Sequence, residues 1–198
     1  MNSTLLADNS EAALKKFLNT LSAVDEVGAK ARVEMLGTRS IKTSSKNWAI
    51  DLAIRMVDLT TLEGADTPGK VRALCAKGVY PDPTDLTVPS VGAICVYNDM
   101  VKIARQALDA GGGKNIPVAA VSTAFPSGRA SIEVKIQDTR DAIANGATEI
   151  DMVIDRGAFL AGKLGYVFDQ IRTIKEVCGS NIHLKVILET GELVTLDN

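Results

Sequence analysis

Five short apolar runs, each separated from the next by a helical pattern, constrain this chain more than any other feature. They fall at 54–59, 91–97, 117–122, 148–154 and 182–188. A helix opening on Thr67-Pro68 and running to about residue 77 fills the first interval, since proline suits the first helical position. Helical patterns follow at 98–110, 131–145 and 164–178, stopped by Gly111-Gly112-Gly113, Gly146 and Gly179. Nearly continuous apolar strands alternating with helices imply parallel pairing through helical crossovers. A doubly wound open sheet and part of a (β/α)8 barrel both satisfy this order. No G-x-G-x-x-G follows the first strand and no G-x-x-x-x-G-K-[ST] occurs, so nucleotide-binding open sheets lose weight. A barrel puts its chemistry at the carboxyl ends of its strands, and the polar residues of these strands lie toward those ends.

Residues 1–53 precede the alternation and read as a helical leader packed outside a partial barrel domain at 54–198. In the leader, 10–22 is amphipathic, with Ala13, Leu14, Phe17, Leu18 and Leu21 on one face and Asn9 or Ser10 as the cap. Weaker helical patterns at 26–36 and 48–53 flank a polar connection. Net charge is −2 and aromatics are 4%, which gives a nucleic-acid partner little support. No apolar run approaches the ~18 residues of a membrane span. The amino end lacks a basic segment followed by an apolar one, so no signal peptide is expected. Cys75, Cys95 and Cys178 are odd in number and widely spaced, which argues for a reducing, cytoplasmic setting and against a disulfide frame or zinc site. The lone histidine, His183, is read as structural.

Strand alternation assigns faces. If the large aliphatics Val57, Leu59, Ile94, Val96, Ile150, Met152, Leu184 and Val186 face helices, then Asp58, Cys95, Asp151 and Lys185 share the interior. One reading is a buried ion pair, which is weak evidence for stability because desolvation offsets attraction. The other is an amine nucleophile with an acid/base carboxylate. A free lysine is only about 0.04% neutral at pH 7, and lowering its pKa to ~7 costs the ammonium about 4.6 kcal/mol. Burial or a second cation supplies that, whereas a lone carboxylate works against it. Arg156 is the candidate cation that composition offers.

The stretches Met56-Val57-Asp58-Leu59-Thr60-Thr61-Leu62, Ala93-Ile94-Cys95-Val96-Tyr97, Phe125-Pro126-Ser127-Gly128, Glu149-Ile150-Asp151-Met152-Val153 and Leu184-Lys185-Val186-Ile187-Leu188-Glu189-Thr190-Gly191-Glu192-Leu193 resemble the deoxyribose-phosphate aldolase family in order and spacing. The resemblance runs from about residue 50 to the last residue. It implies a class I aldolase on a (β/α)8 TIM-type barrel, with no metal or other cofactor. Such an enzyme reversibly cleaves 2-deoxy-D-ribose 5-phosphate to acetaldehyde and glyceraldehyde 3-phosphate. The resemblance puts Lys185 at the Schiff-base position and Asp151 at the acid/base position. It puts Asp58, Thr60, Leu62, Cys95 and Phe125 around the substrate. Sugar phosphate and aldehydes are then the partners, with a homodimer as a candidate assembly that the sequence does not decide.

Family members continue beyond the Thr-Gly-Glu-Leu stretch to a strand with a second lysine and to phosphate-holding loops, which this sequence does not include. The expectation is therefore a barrel truncated after about five βα units, with two open parallel edges and impaired activity. The alternatives are a non-catalytic barrel fragment serving as a scaffold or binding protein, and a Schiff-base aldolase for another sugar phosphate.

Overall fold

Residues 10–198 are described by the computed structural model. Three helices lead: α1 (Glu11–Leu18), α2 (Glu26–Gly37) and α3 (Thr43–Arg55). Strands and helices then alternate as β1 (Asp58–Thr60), α4 (Pro68–Val79), β2 (Ala93–Tyr97), α5 (Val101–Ala110), β3 (Val118–Ser122), α6 (Ile132–Ala144), β4 (Glu149–Val153), α7 (Arg156–Leu160), α8 (Leu164–Cys178) and β5 (His183–Ile187). The five strands form one parallel sheet in sequence order, β1-β2-β3-β4-β5, with β1 and β5 at its edges. That is the strand order of consecutive βα units in a (β/α)8 barrel.

Local chemistry accounts for most helix starts. Thr67 caps α4 ahead of Pro68, Ser131 caps α6 through Val134 N, and Asp155 caps α7 through Ala158 N. Ser10 caps α1; the other expected cap, Asn9, lies outside the described residues. Three expectations need correction. The first apolar run does not begin a strand, because Ile54 and Arg55 complete α3 and pairing starts at Asp58. The polar stretch at 43–45 is the first turn of α3 and not a connection. Finally, α1 stops at Leu18, and Phe17, Leu18 and Leu21 remain largely exposed.

The outward faces of the strands make the main core. Ile94, Val96, Val118, Ala120, Ile150 and Met152 pack on Val71 and Cys75 of α4, Ala104 and Leu108 of α5, Ala142 of α6, and Ile174 and Cys178 of α8. All three cysteines are free and buried, Cys75 and Cys178 among these packing residues. A lysine also lies in the helix layer. Lys135 is fully buried and donates to Gln170 Oε1 on α8 at 2.8 Å, and burial holds its ammonium below the ordinary range. No described helix is long and apolar enough to cross a membrane.

Candidate active site

The opposite face of the sheet carries the ionisable groups. Asp58 on β1 is in register with Ala93 on β2, and Ala119 on β3 with Glu149 on β4. Alanines on the two middle strands leave room for longer polar side chains from the flanking ones. On β4 and β5, Asp151 is paired with Lys185 and Glu149 with His183. Above this layer a small apolar cluster of Cys95, Ala119 and Val121 packs against Leu62, Tyr97, Phe125 and Ile187. Tyr97 and Phe125 meet edge to face, with ring centroids 6.2 Å apart.

The loop that brings Phe125 here is tightly held. Thr123 and Ala124 both have positive φ, at 62° and 63°. A β-branched residue in that region is strained and persists only where its surroundings over-determine it. They do so here. The Asp138 carboxylate accepts from Thr123 N at 2.9 Å and Ser122 Oγ at 3.2 Å. The Thr123 hydroxyl donates to Val153 O and accepts from Val153 N, extending the β3–β4 pairing by one side chain. The loop closes at Gly128, with φ +70°, where a Cβ would lie 2.2 Å from Ile154 O.

Lys185 sits among three carboxylates. Its Nζ donates to Asp58 Oδ2 and, at 3.2 Å, to Asp151 Oδ2. Glu149 Oε1 is a third ion-pair contact at 2.5 Å, though without hydrogen-bond alignment. The three acids offer oxygens within 4.8 Å of one another, close enough to hold a cation, and the lysine ammonium occupies that place. The lysine side chain is 40% exposed because β5 is an edge strand, so it is less buried than its apolar run implied. Asp151 is nearly sealed and its Oδ1 has no partner.

The electrostatics follow from this packing. Burial pulls the Lys185 ammonium down, but its contacts with Asp58 and Glu149 and the charge of Asp151 outweigh that and hold the proton more firmly than in an ordinary lysine. For Asp151, burial pushes the carboxyl up, Lys185 pulls it down and Glu149 pushes it up, leaving it at about 6. Burial, reinforced by the Asp151 charge, pushes the Cys95 thiol up to about 12, so it faces Asp151 Oδ2 at 3.8 Å as a neutral thiol.

Thus Lys185, Asp151, Asp58 and Cys95 converge, Thr60 lies beside the Cys95 thiol, and Leu62 and Phe125 line the adjoining apolar cluster. Arg156 does not supply a second cation. It donates to Pro126 O at 3.0 Å and pairs with Glu189. Among the described residues, no other lysine or arginine pairs with the three acids. Glu149 is the member that sequence reasoning passed over, although alternation placed it on the same face as Asp151. His183 was expected to be structural; it is exposed, with Nε2 4.0 Å from Glu149 Oε2. A cavity of about 930 Å3 lies away from Lys185, between α2 and the segment 188–198. The lysine sits instead on the open concave face of the sheet.

Helices on one side of a parallel sheet and a lysine ringed by carboxylates on the other define the class: an open section of a (β/α)8 barrel with a lysine-centred polar interior. The chain belongs to the DeoC/LacD family of aldolases, whose family model matches residues 52–196. It is 40% identical over 178 residues to the deoxyribose-phosphate aldolase of Homo sapiens, covering 84% of this chain and 55% of that protein. With the Bos taurus deoxyribose-phosphate aldolase it shares 41% identity over 154 residues, covering 74% of this chain and 48% of the other. The chain therefore spans about half the length of these relatives. Among solved structures, the deoxyribose phosphate aldolase of Aeropyrum pernix, a tetramer, superposes with a TM-score of 0.53 at 20% identity, over 76% of this chain and 61% of the other. That likeness concerns the fold alone.

Proposed function

We propose that this chain carries the Schiff-base centre of a deoxyribose-phosphate aldolase. The reading assigns Lys185 as the imine-forming amine, Asp151 as the acid/base residue, and Asp58, Thr60, Leu62, Cys95 and Phe125 to the substrate. The observation that carries it is the convergence of Lys185 with Asp58, Glu149 and Asp151 inside a family aldolase fold. The substrate is 2-deoxy-D-ribose 5-phosphate, cleaved reversibly in the cytoplasm.

The chemistry balances without an external proton. A lysine ammonium and an aldehyde become a protonated imine and water, with one positive charge on each side. The Asp151 carboxylate takes a proton from Nζ, the freed amine attacks C1, and the same proton leaves with the carbinolamine hydroxyl as water. The iminium then accepts the electrons of the C2–C3 bond as the C3 hydroxyl gives its proton to the Asp151 carboxylate, which returns that proton to the enamine carbon in the next step. The cleavage yields an enamine and glyceraldehyde 3-phosphate. Protonation of the enamine and hydrolysis release acetaldehyde.

The electrostatics also support low turnover by these 198 residues. Three acids stabilise the ammonium, and neutral amine is scarce at pH 7. The test is incubation with limiting acetaldehyde and cyanoborohydride, followed by intact mass and peptide mapping. One ethyl group on Lys185, absent from Lys185→Met, is the expected result. Labelling spread evenly over surface lysines would overturn the reading and leave the scaffold alternative.

A further inference from the structure

We infer that Glu149 is a positioning residue of this centre: it shares with Asp58 the balancing of the cation at Lys185 Nζ and so leaves Asp151 as the carboxylate that exchanges a proton. The inference rests on the Schiff-base reading above and adds a third acid to it, with a role distinct from that of Asp151.

The geometry separates the three carboxylates. Asp58 Oδ2 and Glu149 Oε1, the latter at 2.5 Å, lie closer to Nζ than Asp151 Oδ2 at 3.2 Å. The cation at Nζ carries one charge, both as ammonium and as iminium. Two close carboxylates already exceed it. A third negative charge is a surplus, felt most at the buried Asp151, and the surplus is relieved by protonation. Asp151 is the member placed to take that proton. It is the most buried of the three, the loosest on the amine, and its Oδ1 has no partner. That oxygen is buried without a hydrogen-bond partner, which adds to the cost of keeping the carboxyl charged.

Glu149 reaches Nζ because of its length. It is two residues before Asp151 on the same face of β4, so its carboxylate starts one layer lower and extends across Ala119. The charged or titratable groups around it are Lys185 and His183 on β5, Asp151 on its own strand and Asp58 on β1. Cys95 on β2 faces Asp151. Its neighbour in register on β3, Ala119, carries no charge. His183, 4.0 Å from Glu149 Oε2, is exposed to water.

The experiment compares Glu149→Gln with the unaltered chain. One readout is the pH profile of acetaldehyde trapping at Lys185; the other is the carbon-13 carboxyl titration of Asp151. Glutamine keeps the shape and removes one negative charge, so both Lys185 and Asp151 lose a neighbour that favours their protonated forms. The acid limb, the alkaline limb and the Asp151 midpoint should all move to lower pH, by about one unit or roughly tenfold in proton affinity. A residue that only packs would not move two opposite limbs in the same direction. Glu149→Asp keeps the charge but shortens the reach, and should restore the Asp151 midpoint better than it restores the trapping rate. Trapping at Lys185 with limbs and midpoint unmoved in Glu149→Gln overturns the role of Glu149 and leaves the Schiff base standing. Absence of a Lys185 adduct in the unaltered chain overturns the Schiff base itself, while the Asp151 titration still judges Glu149. Should Glu149→Gln fail to fold, Glu149→Asp decides: an Asp151 midpoint and trapping rate identical to the parent would sink the inference.

Discussion

Ile150 and Asp151 are adjacent on β4 and meet opposite surroundings. Ile150 points outward into a layer of aliphatics sealed by α6 and α8, and is fully buried. Asp151 points inward to Lys185, Glu149 and Cys95, with one oxygen unpartnered. The same strand therefore spends one face on stability and the other on charge. The outer face is completed by helices present in the chain. Among the described residues no equivalent layer covers the inner face: Lys185 and Ile187 on edge strand β5 are only half-buried. Packing free energy lies in the first surface, and the second is held in place by it.

The strongest way to break that contrast is to cut the same number of atoms from each face. Ile150→Ala leaves a cavity in a region with no slack, and should cost about 2–5 kcal/mol. Ile187→Ala removes an equal volume from a half-open surface, where neighbours relax and water enters, and should cost less than half as much. Urea denaturation of both variants measures the difference. Equal losses would mean that the inner face contributes as much packing as the outer one.

Asp151 gives the next largest effect, and it depends on pH. Folding raises its carboxyl from 3.8 to about 6, so between those values the folded chain binds more protons than the unfolded chain. Stability from this group is fully present below about pH 4 and is lost as pH rises through 6. A shift of that size is on the order of 3 kcal/mol. Lys185 does not blur the window. Its proton affinity is also raised on folding, so its contribution persists up to the ordinary lysine range and is lost only above it. Asp151→Asn has no proton to exchange and should show a flatter curve from pH 4 to 6, ending more stable than the parent at pH 7. Thermal melts across that range decide it; a parent curve that climbs between pH 4 and 6 would refute the assignment.

How far each face was legible follows from the kind of information it needs. Period-two alternation placed Asp58, Cys95, Asp151 and Lys185 together, because a strand fixes side-chain direction at once. The capped helices α4 and α6 and the span of α8 were legible for a similar reason, since Thr67, Ser131 and Gly179 are local signals. Reach is not local. Glu149 shared the right face, but that it arrives at the same nitrogen as Asp151 depends on the register of three strands. The pairing of Arg156 with Glu189 joins the start of α7 to the segment after β5 and left no trace in either. The five-residue α7 is too short for periodicity to show. The run at 54–59 was ambiguous because the end of an apolar helix and the start of an apolar strand look alike. Lys135, a helical lysine, would ordinarily be solvated, and only the docking of α8 buries it beside Gln170.

The smallest effect sharpens a second contrast, between the barrel section and the leader. Helices α1, α2 and α3 bury no residue fully, whereas α4, α5, α6 and α8 each bury several. Ala13 and Leu14 of α1 are only half-buried, and a polar contact ties α1 to α8. Glu11 Oε1 accepts from Gly165 N at 2.8 Å, at the first turn of α8, where unpaired amides and the positive end of the helix dipole favour an anion. We propose that leader and barrel section open independently, with this carboxylate as the main tie between α1 and α8. Glu11→Ala should then cost about 0.5–2 kcal/mol of local docking, comparable to loss of a helix cap. Amide exchange at Gly165 should quicken and protease cleavage around 19–25 should rise, while the global denaturation midpoint stays near the parent's. A fall in that midpoint approaching that of Ile150→Ala would show that the leader belongs to the same cooperative unit as the core. The exposed apolar faces of α1–α3 would then need an account in terms of folding and not of surface.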